Sequence, residues 1–141
     1  MDSLEAFTAI GIAAAAADGK FSRSESEDLI KHLNAHRVFS EMDEDKKQLM
    51  IHSLVNKIDD INQKEKVILE AARSLSTKQQ EVALAMAVDI FFSDGTYCNK
   101  EQEFIKELAN TLSIEKNKAE TIIETITSLY CPRDIFKTSI K

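Results

Sequence analysis

Pro132 is the single proline of this chain, and only three glycines accompany it along 141 residues. Average usage would place roughly ten glycines and seven prolines in a chain of that length. The residues that make tight turns are therefore nearly absent, and sandwiches and barrels, which need a turn at about every tenth residue, are excluded. With 43% apolar residues and a net charge of −6, the composition also excludes a disordered chain. The expectation is an all-α fold, built as one bundle. A domain near this size buries about 68% of its unfolded surface, enough for a core without disulfides or structural zinc.

Helix start signals divide the chain further. Asp2-x-x-Glu5, Ser22-x-x-Glu25, Asn62-x-x-Glu65 and Ser76-x-x-Gln79 are capping boxes or close variants, and Ser113 stands before Glu115. Another start falls at Ser40 or Asp43, where the acid run Glu41-x-Asp43-Glu44-Asp45 suits the positive end of a helix dipole as a solvated first turn. About seven helices follow, near 3–17, 23–35, 43–60, 63–74, 77–92, 99–112 and 114–129. The first and fifth are apolar nearly all round, which predicts that they form the centre while amphipathic helices such as Phe104, Ile105, Leu108 and Leu112 wrap them. Met42, Met50, Met86 and the phenylalanines read as core. Residues 1–130 form the helical domain; residues 131–141 form a basic C-terminal tail that contains Pro132.

The charge balance narrows the partners. With 24 acidic against 18 basic side chains and no Lys or Arg run, the attraction that starts nucleic-acid or anionic-lipid binding is missing. Met1-Asp2-Ser3-Leu4-Glu5 carries acids where a signal peptide needs bases, and the apolar stretch 9–17 is about half a membrane span. Cys98 and Cys131 lie 33 residues apart and match neither a metal ribbon nor a disulfide framework. A cytoplasmic protein with reduced thiols and no membrane insertion is expected.

The ends of the two apolar helices repeat each other at an offset of 76 residues. Asp18-Gly19-Lys20-Phe21 with Glu25 aligns with Asp94-Gly95-Thr96-Tyr97 with Glu101, and an aliphatic residue follows each Glu four positions on. The pattern describes a helix ending at a left-handed Gly, an aromatic turned back to the core, and a new helix with Glu in its first turn. An Asp at a helix C-terminus faces the negative end of the dipole, which is unfavourable unless loop amides, a base or a cation meet it. The pattern also matches the second half of an EF-hand loop, but the first half would place Ala14, Ala16, Ile90 and Phe92 at ligand positions, so a true EF-hand is excluded. Each loop still offers one Asp and one Glu to a looser oxygen site.

Here the sequence resembles the tellurite resistance TerB family, all-helical domains in which an apolar helix runs into Ala-Ala-Asp-Gly, a spacer and an aromatic or aliphatic residue, with Glu seven after the Asp. Ala16-Ala17-Asp18-Gly19-Lys20-Phe21 with Glu25 fits, as does Asp94-Gly95-Thr96-Tyr97 with Glu101, although Phe92-Ser93 replaces the alanines of the second copy. The resemblance covers the chain apart from its tail and implies a bundle with an internal pseudo-twofold repeat. It also implies a bacterial cytoplasmic accessory protein of tellurite and chemical-stress resistance, working with other proteins of that system, membrane-associated ones included. The ligands it implies are Asp18, Glu25, Asp94 and Glu101, and an all-carboxylate set favours Ca²⁺, Mg²⁺ or Mn²⁺ over Zn²⁺.

Plainer readings stand beside the sharp ones. Each Asp of the repeat can accept from loop amides, and each Glu can complete a capping box. His32 and His36, with Asp28 a turn earlier, have zinc-ligand spacing, yet they fall at a helix C-terminus, where histidine is favourable, and no third ligand is evident. Cys98 reads either as a thiol reactive toward tellurite or as a semi-buried side chain. No positioned nucleophile and base, phosphate loop or metalloprotease motif is present, so no enzyme is expected. Two function classes remain: a metal-responsive stress protein, and a helical protein–protein interaction module without metal.

Overall fold

The computed structural model describes residues 1–16, 42–93 and 99–130, together with Glu27, Lys31 and Asn34. Every regular element among the described residues is an α-helix: α1 (Ser3–Ala15), α2 (Glu44–Asp59), α3 (Ile61–Arg73), α4 (Thr77–Ser93), α5 (Asn99–Thr111) and α6 (Lys116–Tyr130). All six begin and end within two residues of the expected ranges. Glu27, Lys31 and Asn34 are also helical. They fall in the stretch expected as a helix over 23–35, and the rest of that stretch lies outside the described residues.

The caps show why the boundaries fall where they do. Asp2 accepts from the Glu5 amide at 2.8 Å. Ser76 and Gln79 form a reciprocal capping box: the Ser76 amide donates to Gln79 Oε1 at 2.9 Å and the Gln79 amide donates to Ser76 Oγ at 3.2 Å. Two expected caps are corrected. Asp60, not Asn62, caps α3: its carboxylate accepts from the Asn62 amide at 2.9 Å, and its carbonyl accepts from Gln63 and Lys64. A charged acceptor is the better match to the positive end of a helix. At α6 the first helical carbonyl belongs to Glu115, which accepts from Ala119 at 3.0 Å. Ser113 is held in the preceding turn instead, its amide donating to Gln80 Oε1 at 2.8 Å.

The two apolar helices form the centre. α1 buries Ala6, Thr8, Ala9, Ile10, Gly11, Ile12, Ala13 and Ala14 and packs on α2, α3 and α4. Its short side chains let three neighbours approach its backbone, and Thr8 Oγ1 donates to the Leu4 carbonyl at 2.8 Å, so the one buried hydroxyl on this helix is satisfied. α4 buries Ala83, Leu84, Met86, Ala87, Val88, Ile90 and Phe91 and carries α5 and α6 on its flanks. It is not buried all round. Lys78, Val82, Ala85 and Asp89, spaced four, three and four apart, make one strip that keeps contact with solvent. Val82, expected in the centre, is 47% exposed on that strip.

The packing also sets helix directions. The Met1 ammonium lies 3.6 Å from Glu70 Oε1, in the last turn of α3. The start of α1 is therefore at the end of the bundle where α3 stops and, after residues 74–76, α4 begins. At the opposite end, Lys64 near the start of α3 stands 6.0 Å over the Phe104 ring of α5. Phe104 meets Phe91, near the end of α4, edge to face at 5.8 Å. Since α1 packs along both α3 and α4, it runs antiparallel to α3 and parallel to α4. Ala16 and Ser93, where the two central helices finish, are consequently at the same end of the bundle.

Candidate functional site

That shared end is where the Asp-Gly repeat enters the chain. Asp18 and Asp94 follow α1 and α4 by only a few residues. Both aspartates and Glu25 lie outside the described residues, as do His32, His36, Cys98 and residues 131–141. Glu101 belongs to the first turn of α5, with its side chain outside the described set. Among the described residues no group of three or more His, Cys, Asp or Glu is close enough to hold a metal ion.

The last turns of the six helices differ in charge: α1, α4, α5 and α6 carry no base there. α2 and α3 finish with a basic residue in the last turn, Lys57 and Arg73 respectively. Neither α1 nor α4 has one. The negative ends of both central dipoles therefore reach the same region without a base in the last turn, and Asp18 and Asp94 come next in sequence, outside the described residues.

Several polar contacts elsewhere were not legible beforehand. Lys47, in the first turn of α2, is only 5% exposed. Its Nζ donates to Asn34 Oδ1 at 2.6 Å and lies 3.6 Å from Glu44 Oε1. The acids beside it, Asp43, Glu44 and Asp45, are exposed as expected for a solvated first turn. Between α4 and α6, Lys118 Nζ lies 2.7 Å from Glu81 Oε1. The hydrogen bond to Glu81, reinforced by its charge, holds the Lys118 ammonium above its ordinary value; Glu115 adds to the rise and desolvation opposes it. A cleft of roughly 400 Å³ opens between α3 and α5, lined by Ile68, Leu69, Phe104 and Leu108 with Glu65 and Glu107.

Comparison with known families decides the relationship of the whole assembly. The family model described as tellurite resistance protein TerB matches residues 4–123. The chain belongs to the TerB family. The matched span runs from α1 into α6 and includes both copies of the Asp-Gly repeat, so the TerB resemblance and the paired central helices concern the same residues. No curated protein and no solved structure gives a significant match to the chain. Among the described residues of this TerB-family chain, no helix is long and apolar enough to cross a membrane.

Proposed function

We propose that this TerB-family chain is a cytoplasmic, non-enzymatic accessory protein of a tellurite and chemical-stress resistance system, and that it binds Ca²⁺, Mg²⁺ or Mn²⁺ through Asp18, Glu25, Asp94 and Glu101. The observation that supports this reading is the common end of α1 and α4, the two helices that run in sequence into the acidic repeats and that carry no base in their last turns. Four carboxylates drawn to one region repel one another when empty, and a hard divalent cation with oxygen ligands relieves that repulsion. Its binding then favours one arrangement of the helices that follow each loop, which is how a cation signal reaches other proteins of the system.

Thermal unfolding with each ion tests it. Ligand at about ten times its dissociation constant stabilises the folded chain by about 1.4 kcal/mol, roughly 4 °C for a domain of this size. Asp18→Asn with Asp94→Asn should remove the shift. The competing reading, a helical interaction module without metal, draws on the cleft between α3 and α5. It is favoured if millimolar Ca²⁺, Mg²⁺ and Mn²⁺ all leave the melting temperature unchanged.

A further inference from the structure

α3 and α5 are seated on different central helices, α3 on α1 and α5 on α4. Both run the same way. Each starts at the end marked by Lys64 and Phe104; α3 reaches Glu70, beside the start of α1, and the turn after α5 reaches Gln80, near the start of α4. Two parallel helices on separate supports leave a trough between them, the cleft of roughly 400 Å³. Leu108, 2% exposed, belongs to its floor, and Leu69, 41% exposed, to its lip. From Phe104 to Thr111 the trough follows two turns of α5, about 10 Å.

Its charge selects the occupant. Glu65 and Glu107, one from each helix, are exposed beside the apolar lining, and no Lys or Arg lines the cleft among the described residues. Lys64 Nζ already stands 6.0 Å over the buried Phe104 ring, so an occupant's bases are placed by Glu65 and Glu107 and not by that ring. We propose that this trough docks a short amphipathic helix of a partner protein, with an apolar stripe at i, i+3 or i+4, and i+7 flanked by lysine or arginine. The apolar stripe covers Leu69 and reaches Ile68 and Leu108, and the flanking bases meet Glu65 and Glu107. The net charge of −6 steers such a segment toward the chain.

The full chain is titrated with two synthetic peptides that share a leucine stripe, one flanked by lysine and the other by glutamate. Backbone amide NMR shifts and calorimetry give the site and the affinity. The lysine peptide should bind saturably with shifts centred on α3 and α5, and the glutamate peptide about tenfold more weakly or not at all. Glu65→Gln with Glu107→Gln, both exposed and compatible with folding, should weaken the lysine peptide about fivefold. Asp18→Asn with Asp94→Asn should leave it unchanged, which separates this inference from metal binding. It is overturned by equal binding of the two peptides, by shifts centred on the exposed Leu49 or Leu129, by no saturation at millimolar peptide, or by sedimentation showing that a second copy of the chain seals the trough.

Discussion

The side-chain oxygen of Gln80 accepts the backbone N–H of Ser113 at 2.8 Å, across 33 residues of sequence, while its Nε2 donates to the Ala72 carbonyl at 2.8 Å and the Leu75 carbonyl at 3.3 Å. One buried amide thereby joins the end of α3, the start of α4 and the turn between α5 and α6. Both of its donor hydrogens and one lone pair of its oxygen are directed at backbone groups at or beside helix ends.

Gln80→Leu keeps the size of this side chain and removes its polarity, leaving the Ser113 amide without its partner. Leaving buried polar groups unsatisfied costs about 1–3 kcal/mol. Urea unfolding should show a lower midpoint with an unchanged slope. A loss below about 0.5 kcal/mol, the range of an ordinary surface substitution, would mean that the clasp contributes little.

For Lys47, the expected order of effects is asymmetric. Asn34→Ala strips the buried ammonium of its 2.6 Å acceptor and should destabilise by about 1 kcal/mol after the gain in helix propensity is counted. Lys47→Met removes the charge and leaves only the neutral, part-buried Asn34 oxygen without its donor, so it should cost less than a buried ammonium without its acceptor. Equal losses in the two variants, measured by denaturant unfolding, would contradict a buried charge that depends on Asn34.

The Glu81–Lys118 pair gives the bundle one small contribution that depends on pH. Lys118 titrates above the ordinary 10.5 in the folded chain because Glu81 hydrogen-bonds to its charged form and attracts it. A raised folded value means that the contribution is complete below the unfolded value and is lost as pH rises through the folded one. Lys118→Gln should therefore narrow the difference in stability between neutral and strongly alkaline solution, as read from unfolding midpoints along a pH series. Parallel curves for the two proteins would show that the pair makes no linked contribution.

What could be read in advance follows from what is local. Ser76 and Gln79 recognise each other across three residues, so their capping box is visible in sequence and its geometry follows. The helices of the bundle were legible for the same reason, from caps and apolar period. Gln80 is different: its partners are fixed only when α3, α4 and the turn after α5 meet. A signal was nevertheless present, since Gln80 shares the buried face of Ala83, Leu84 and Ala87 at helical spacing. The burial of Lys47 depends on a residue thirteen positions earlier, and the cleft depends on α3 and α5 choosing different supports. No local pattern announces either. The Asp-Gly repeat was legible as a repeat, and the structure adds the common end of the helices that precede its two copies.

The most direct measurement of the central claim is thermal unfolding of the chain and of Asp18→Asn with Asp94→Asn, each with and without Ca²⁺, Mg²⁺ or Mn²⁺. If the acidic repeats hold a cation, at least one ion raises the melting temperature of the unaltered chain by several degrees and leaves the variant unmoved. The metal-free variant then melts no lower than the metal-free parent, since a mutual repulsion has been removed. A variant that melts lower without metal, from a parent insensitive to all three ions, would show that the aspartates serve only to cap their loops and would contradict cation binding.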